Sequence, residues 1–371
     1  MQTVAAGWLV FDLTHSATAL AILSGFSRGP AIFLSTYGGT LADRFDRRRL
    51  AIGLYGFQAI PAALLAFVTW AEAPSLFEIY SLTLLIGTAG ALASPAIQGI
   101  VAATVPKDVA KSATAMGSAS FNVARLVGPA AGGVLLTASG PGLCFAVNAA
   151  SYGAVVLLAI GLPGKTGRSS GSATSLRLAV RRARTQPLLR KIFPVVLLFS
   201  VLVGPVQELA PAVAHRYGHE AHLLGFLLSG LAIGGLIAIP ARSLLKARGV
   251  GATTALGGSL IVAAAALLLL AASPTYAFAI VAMVLCGLAW DILFIAGLNG
   301  VQFADEAMSG VMTGLFFTAT VGGVTLGAWL VGGVFDVVGI GWGLTACASL
   351  VSLGALWALA GPNRDAGRVL G

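Results

Sequence analysis

Apolar residues in this chain come in long blocks separated by short polar or Gly/Pro turns, at roughly 16–42, 50–70, 76–104, 111–137, 142–162, 190–213, 221–245, 251–272, 275–300, 307–335 and 339–360. As α-helices rising about 1.5 Å per residue, blocks of about 20 residues cross a hydrocarbon core of about 30 Å. The pattern therefore predicts eleven full spans. Ahead of them Met1–Leu13 forms an apolar stub that would reach only about 20 Å. It has neither the basic leader nor the small-residue cleavage site of a signal peptide and reads as the outer half of a first helix, span 1. That reading implies about 20 further residues, basic then apolar, encoded ahead of Met1.

Composition turns a helical pattern into a membrane one. Hydrophobic residues make up 57% of the chain and charged residues 9%, against about 25% charged in soluble domains. Such a chain cannot cover itself with polar surface, so lipid must face most of its outside. The net charge of +9 would suggest nucleic acid if it were spread over one surface. Instead it sits in alternate loops. Arg44, Arg47, Arg48 and Arg49 follow span 2, Lys107 and Lys111 follow span 4, Arg242, Lys246 and Arg248 follow span 8, and Arg364 and Arg368 lie in the tail. Opposite connections, near Glu72, Gly140, Pro274 and Gly339, are almost free of positive charge; Arg216 is the exception. The positive-inside bias then predicts both termini in the cytoplasm, as for an inner or plasma membrane protein.

A second shift in composition divides the chain. From Gly164 to Lys191 there are eight Lys or Arg and no acid, which predicts a first six-helix bundle over 1–163, a basic cytoplasmic linker over 164–189 and a second bundle over 190–371. Within the linker Leu176, Ala179, Val180 and Ala183 recur at helical spacing opposite Arg177, Arg181 and Arg184. A helix lying on an anionic lipid surface would have this pattern, and plain positive-inside bias accounts for the charge equally.

The most specific signal is Gly39-Thr40-Leu41-Ala42-Asp43-Arg44-Phe45-Asp46-Arg47-Arg48-Arg49, a knot of charge between spans 2 and 3. A carboxylate and several guanidinium groups at a helix end can pair across a seam in one conformation and part in another. A topogenic charge cluster is the alternative account. With six spans, a basic linker and six spans, the chain resembles the major facilitator superfamily, whose loop Gly-x-Leu-Ala-Asp-Arg-x-Gly-Arg-Arg is matched by Gly39, Leu41, Ala42, Asp43, Arg44, Arg47 and Arg48. Asp46 stands where that family usually has Gly. The resemblance implies an all-α fold of two six-helix bundles related by pseudo-two-fold symmetry, here eleven full helices and a partial first. It also implies that Asp43 latches onto the helix beginning near Ser309 when the cytoplasmic side is closed.

Span 5 carries Asn122, Arg125, Gly128, Pro129, Gly132 and Gly133. Small residues let helices approach closely, and the proline removes a backbone hydrogen bond and bends the helix. The run resembles the Gly-Pro-x-x-Gly-Gly motif of facilitators that export in exchange for protons. Asn122-x-x-Arg125 and Trp8-Leu9-Val10-Phe11-Asp12-Leu13-Thr14 resemble the branch containing siderophore and macrolide exporters.

Charges inside spans are costly, at least about 2.5 kcal/mol each on insertion scales. Rise counting places Arg28 and Arg125 near the midplane, with Asn122 one turn from Arg125. They would attract an anionic or acceptor-rich substrate, or else join helices by hydrogen bonds. In the second half Glu208 and Trp290 complete the candidate cavity, and Asp291 is the candidate proton carrier because it lies deeper than Glu208. An interhelical hydrogen bond is its alternative role. Asp12 is better explained as a helix cap before Thr14 and Ser16. His215, His219 and His222 crowd one turn with Glu220, where a solvated loop is a simpler account than a metal. Cys144, Cys286 and Cys347 lie in separate spans without metal-type spacing. No phosphate-binding glycine loop, nucleophile elbow or His-Glu-x-x-His is present, so the expectation is a cofactor-free, monomeric transporter, not an enzyme. It would export a small organic molecule, siderophore- or drug-like, by proton antiport, with bilayer, substrate and protons as its partners. An importer on the same fold and a truncated, non-transporting product are the alternatives.

Overall fold

The computed structural model describes residues 1–71, 74–104, 110–161, 185–218, 220–304 and 309–360. Described residues form helices joined by short turns, with no strand among them. These are α1 (Gln2–Thr14), α2 (Ala17–Arg44), α3 (Arg47–Ala71), α4 (Leu76–Thr104), α5 (Ala110–Ile160), α6 (Pro187–Leu202), α7 (Pro205–Glu208), α8 (Ala210–Ala214), α9 (Ala221–Ala247), α10 (Ala252–Ala272), α11 (Tyr276–Ala304), α12 (Ser309–Val338) and α13 (Ile340–Leu359). Among the described residues ten segments are long and apolar enough to cross a membrane, and one of them, Val123–Ile160, is of double length. Gly140, at φ 75°, breaks α5 there into two arms, a left-handed conformation that glycine adopts without steric cost. The two spans expected on either side of Gly140 are these arms. α1 has 13 residues, and His15 closes it in the left-handed region at φ 50°.

One expected span differs. The run over 190–213 is three pieces, interrupted at Val203–Gly204 and at Leu209. Proline donates no hydrogen bond to the preceding turn, and Pro205 is the first and Pro211 the second residue of the helix that follows each interruption. Gly204 also lies so near Val324 on α12 that a Cβ there would come within 2.6 Å of its side chain.

The chain packs as two compact units: Met1–His15 with Ala19–Gly171 and His219–Gly225, and Ser16–Thr18 with Ser172–Gly218 and Phe226–Gly371. In the first, α3 packs on α4 and α5, and α1 packs on α5, around Leu65, Ile79 and Phe145. In the second, α10 packs on α11 and α13, and α6 on α12, around Leu189, Leu260 and Phe316. Large apolar side chains also face outward, among them Phe67 at 67% exposure, Leu158 at 74% and Trp342 at 75%, as suits a protein whose solvent is lipid.

Candidate functional site

In the charged knot, α2 ends at Arg44 and α3 begins at Arg47. Asp46 accepts a hydrogen bond from the Arg49 N–H at 2.9 Å on Oδ1, the bond of an N-cap that satisfies an orphan donor of α3. This gives the carboxylate that stands in the glycine position a local role. Arg47 Nε donates to Ala42 O at 3.2 Å, and the Arg48 guanidinium donates to Ile160 O. Both arginines therefore cover carbonyls at helix C-termini, where a cation also meets the negative end of the helix dipole. Leu41 is half-buried and Arg44 exposed. Gly39 lies within α2; the side chain of Asp43 and residues 164–184 of the expected linker lie outside the described residues, and α6 takes up its last residues from Pro187 on.

Arg216, the exception to the charge pattern, is used in the same way in the second unit. It donates to Leu270 O at 3.5 Å and Ala271 O at 3.4 Å, beside a Tyr217 to Ser273 O bond of 3.2 Å.

Arg28 is half-buried on α2, one residue past Ser27, whose carbonyl packs against Gly87 of α4 so closely that a Cβ could not be added. Arg125 is half-buried on α5, and the side chain of Asn122 lies outside the described residues. An open hollow of about 610 Å³ runs along α5, lined by Met116, Ser120, Val123, Ala124, Val127 and Gly128. At 100° per residue, positions 122 and 125 lie on the other side of the helix, roughly 140–160° from the middle of that face. Of the packing glycines, Gly133 meets Gly225, where a Cβ would stand 2.9 Å from the Gly225 Cα, and Gly132 meets Met1 at 3.1 Å. A Cβ on Gly128 would meet nothing within 4 Å. Pro129 lies in the helix interior, its carbonyl against Gly225.

In the second unit, Glu208 is the last residue of α7, where the span is interrupted. Trp290 stacks obliquely on Phe199, centroids 5.5 Å apart, in a tight crevice with Ser200, Phe294 and Thr320. Asp291, one helical turn after Gly287, places Oδ2 over Gly235 of α9, leaving no room there for a Cβ. Arg28 and Arg125 thus stand on separate helices of the first unit, while Glu208, Trp290 and Asp291 belong to the second.

His222 Nδ1 lies 3.2 Å from Glu220 and His219 is outside the described residues; no metal-binding group of three is found among those described. Cys144, Cys286 and Cys347 are buried thiols.

One functional candidate escapes the sequence reading. Asp336, on α12, accepts the Ala17 N–H and the Thr18 N–H at the start of α2, so this helix takes a cap from Asp336. The expected apolar run ends at 335, which leaves Asp336 one residue outside it. The readable signal was an acid at a span end in a chain with few acids.

The chain matches, over residues 1–366, the family described as transmembrane secretion effector, and it belongs to that branch of the major facilitator superfamily, a multi-pass membrane transporter of two-bundle, all-α fold. It is 26% identical to the staphyloferrin A transporter of Staphylococcus aureus over 62% of this chain and 59% of that protein. It is 23% identical to the multidrug efflux pump Tap of Mycobacterium tuberculosis, over 92% of this chain and 84% of the relative. With the enterobactin exporter EntS of Shigella boydii it shares 28% identity, over 87% and 78%. Its fold matches the crystal structure of the nucleoside transporter NupG with a TM-score of 0.75 at 16% identity, covering 96% of this chain and 93% of that one.

Proposed function

We propose that this transporter exports a small organic molecule, of siderophore or drug type, by alternating access coupled to proton antiport. The observation that supports export is the Gly133–Gly225 contact, a tight helix seam formed by the Gly-Pro run of α5, in which the Pro129 carbonyl also lies against Gly225. The names of the relatives, a siderophore transporter, a siderophore exporter and a multidrug pump, favour the same direction and substrate class. In this reading the bundles over 1–163 and 190–371 rock about a midplane cavity with the linker over 164–189 in the cytoplasm, and the protein acts as a monomer with both termini inside. Arg28, Asn122, Arg125, Glu208 and Trp290 receive the substrate. Gly39, Leu41, Asp43, Arg44, Arg47 and Arg48 form the cytoplasmic gate.

Asp291 is the proton carrier, supported by its carboxylate lying against the backbone of α9, within the bilayer part of α11. A carboxyl in such a place gains by taking up a proton when water is excluded and releases it when water returns. Inside-out vesicles with an acidified lumen are expected to accumulate a catecholate siderophore or a macrolide from a test panel, and a protonophore is expected to abolish this. Accumulation that ignores the protonophore would remove antiport. Accumulation only in right-side-out vesicles would make the protein an importer.

A further inference from the structure

Asp336 lies two residues before the end of α12, and the start of α2 engages both of its oxygens. Oδ1 accepts the Ala17 N–H at 2.7 Å, while Oδ2 accepts the Thr18 N–H at 2.9 Å and the Ser16 hydroxyl at 2.7 Å. The N–H groups are among the orphan donors of a helix start, where a carboxylate also meets the positive end of the helix dipole. A helix ordinarily takes this cap from the residue just ahead of it. α2 takes it from a residue 319 positions away.

Two further features distinguish this contact from a fixed cap. The residue is exposed, so water can hydrate the carboxylate once the contact parts and no buried, unpaired charge is left behind. Below it, Ala17, Ala21, Ser24 and Arg28 follow one another at helical spacing down one face of α2. Ser24 is 3% exposed, and its hydroxyl has no hydrogen-bond partner. A side chain this deeply buried meets water only when the helix face that carries it is uncovered, so position 24 reports on that face.

We infer that Asp336 is a positioning residue of the outer gate: its carboxylate clasps the first turn of α2 while the outer side is closed and releases it as that side opens, admitting water along the Ala17–Ser24 face. The inference rests on the alternating-access reading above. Transport needs contacts that hold in one state and yield in the other, and a carboxylate on a helix start does both without a buried charge.

The test uses Ser24→Cys as a reporter in full-length protein reconstituted in lipid discs, with N-ethylmaleimide as the probe. Native Cys286, 1% exposed, serves as the internal control. Adding Asp336→Asn removes the charge from all three bonds and is expected to raise the labelling rate at position 24 about tenfold, since bonds to charged groups are the stronger ones. Labelling at Cys286 should stay at the parent rate. Ser16→Ala, which removes one bond and leaves the carboxylate, is expected to raise the reporter rate about twofold to threefold. An unchanged rate at position 24 in Asp336→Asn would overturn the inference, as would an equal rise at Cys286, which would make Asp336 a plain stability residue. Should Asp336→Asn fail to fold, Ser16→Ala decides: a rise confined to position 24 supports the clasp, and no rise removes it. No substrate is present, so a lack of siderophore or macrolide flux bears on the export reading alone.

Discussion

α9 enters two tight seams, and they use glycine for different ends. In the first unit its opening residues meet α5 at Gly225 and Gly133, where the two backbones touch with no side chain between them. In the second unit its later residues meet α11. Gly234 lies against Val284 O, Gly287 of α11 lies against Leu231 O, and one turn further on Gly235 leaves space that the Asp291 carboxylate fills. In a bilayer no hydrophobic force drives helices together, so close van der Waals packing of small residues has to do so. The first seam is only such a contact. The second has a polar group set into it, and a change there can alter chemistry while packing survives.

The strongest way to break this comparison is at Gly287. A Cβ there would fall deep inside the contact distance of Leu231 O, a backbone atom that cannot swing aside. Gly287→Leu is therefore expected to yield no folded protein, read as loss of the monodisperse peak in detergent size-exclusion chromatography. A variant that elutes and melts like the parent would show that α9 and α11 do not approach this closely. Gly133→Val comes next. Its Cβ would meet the Gly225 Cα at 2.9 Å, again a backbone atom, and the valine methyls reach beyond it, so a loss of at least about 3 kcal/mol is expected, at the upper end of overpacking. Thermal melting checks it.

These two seams mark how far the sequence could be read. The periodic apolar blocks made the helices legible, because spans of this length have few alternatives in lipid, and Gly140 was placed where α5 breaks. The interruption of the 190–213 run was written in Gly204, Pro205 and Pro211 but hidden by apolar residues on either side. Contacts between helices were not legible. Nothing in the spacing tells that Gly235 faces Asp291, that Arg48 reaches Ile160 O or that Asp336 caps a helix 319 residues away, since each depends on how distant segments pack.

A smaller effect sharpens the second seam. At Gly235 the obstacle to a Cβ is Asp291 Oδ2, the far end of a side chain that can rotate, and not backbone. Gly235→Ala is accordingly expected to fold with a stability change within about 1 kcal/mol, the steric loss being offset by the better helix propensity of alanine. Displacing the carboxylate should still slow proton-driven uptake into inside-out vesicles at least threefold, and Asp291→Asn should stop it. Unaltered flux in both variants would leave the seam structural and return Asp291 to the role of a packing residue.

The smallest expected effect lies at Gly128, where family resemblance and geometry disagree. By resemblance it belongs to the same packing run as Gly133. By geometry a Cβ added to it meets nothing within 4 Å, and it borders the open hollow along α5 instead of a seam. Gly128→Ala exchanges a poor helix former for the best one, worth up to about 1 kcal/mol in a helix interior, without a clash to set against it. The melting temperature should therefore stay level or rise slightly, while Gly133→Val lowers it. A Gly128→Ala variant that melts like the parent yet transports more slowly would mean that another conformation closes on this face, which would extend the dry seam of α5 toward its Arg125 end during the cycle. A variant that melts lower would mean that Gly128 is already packed, and would erase the distinction between it and Gly133.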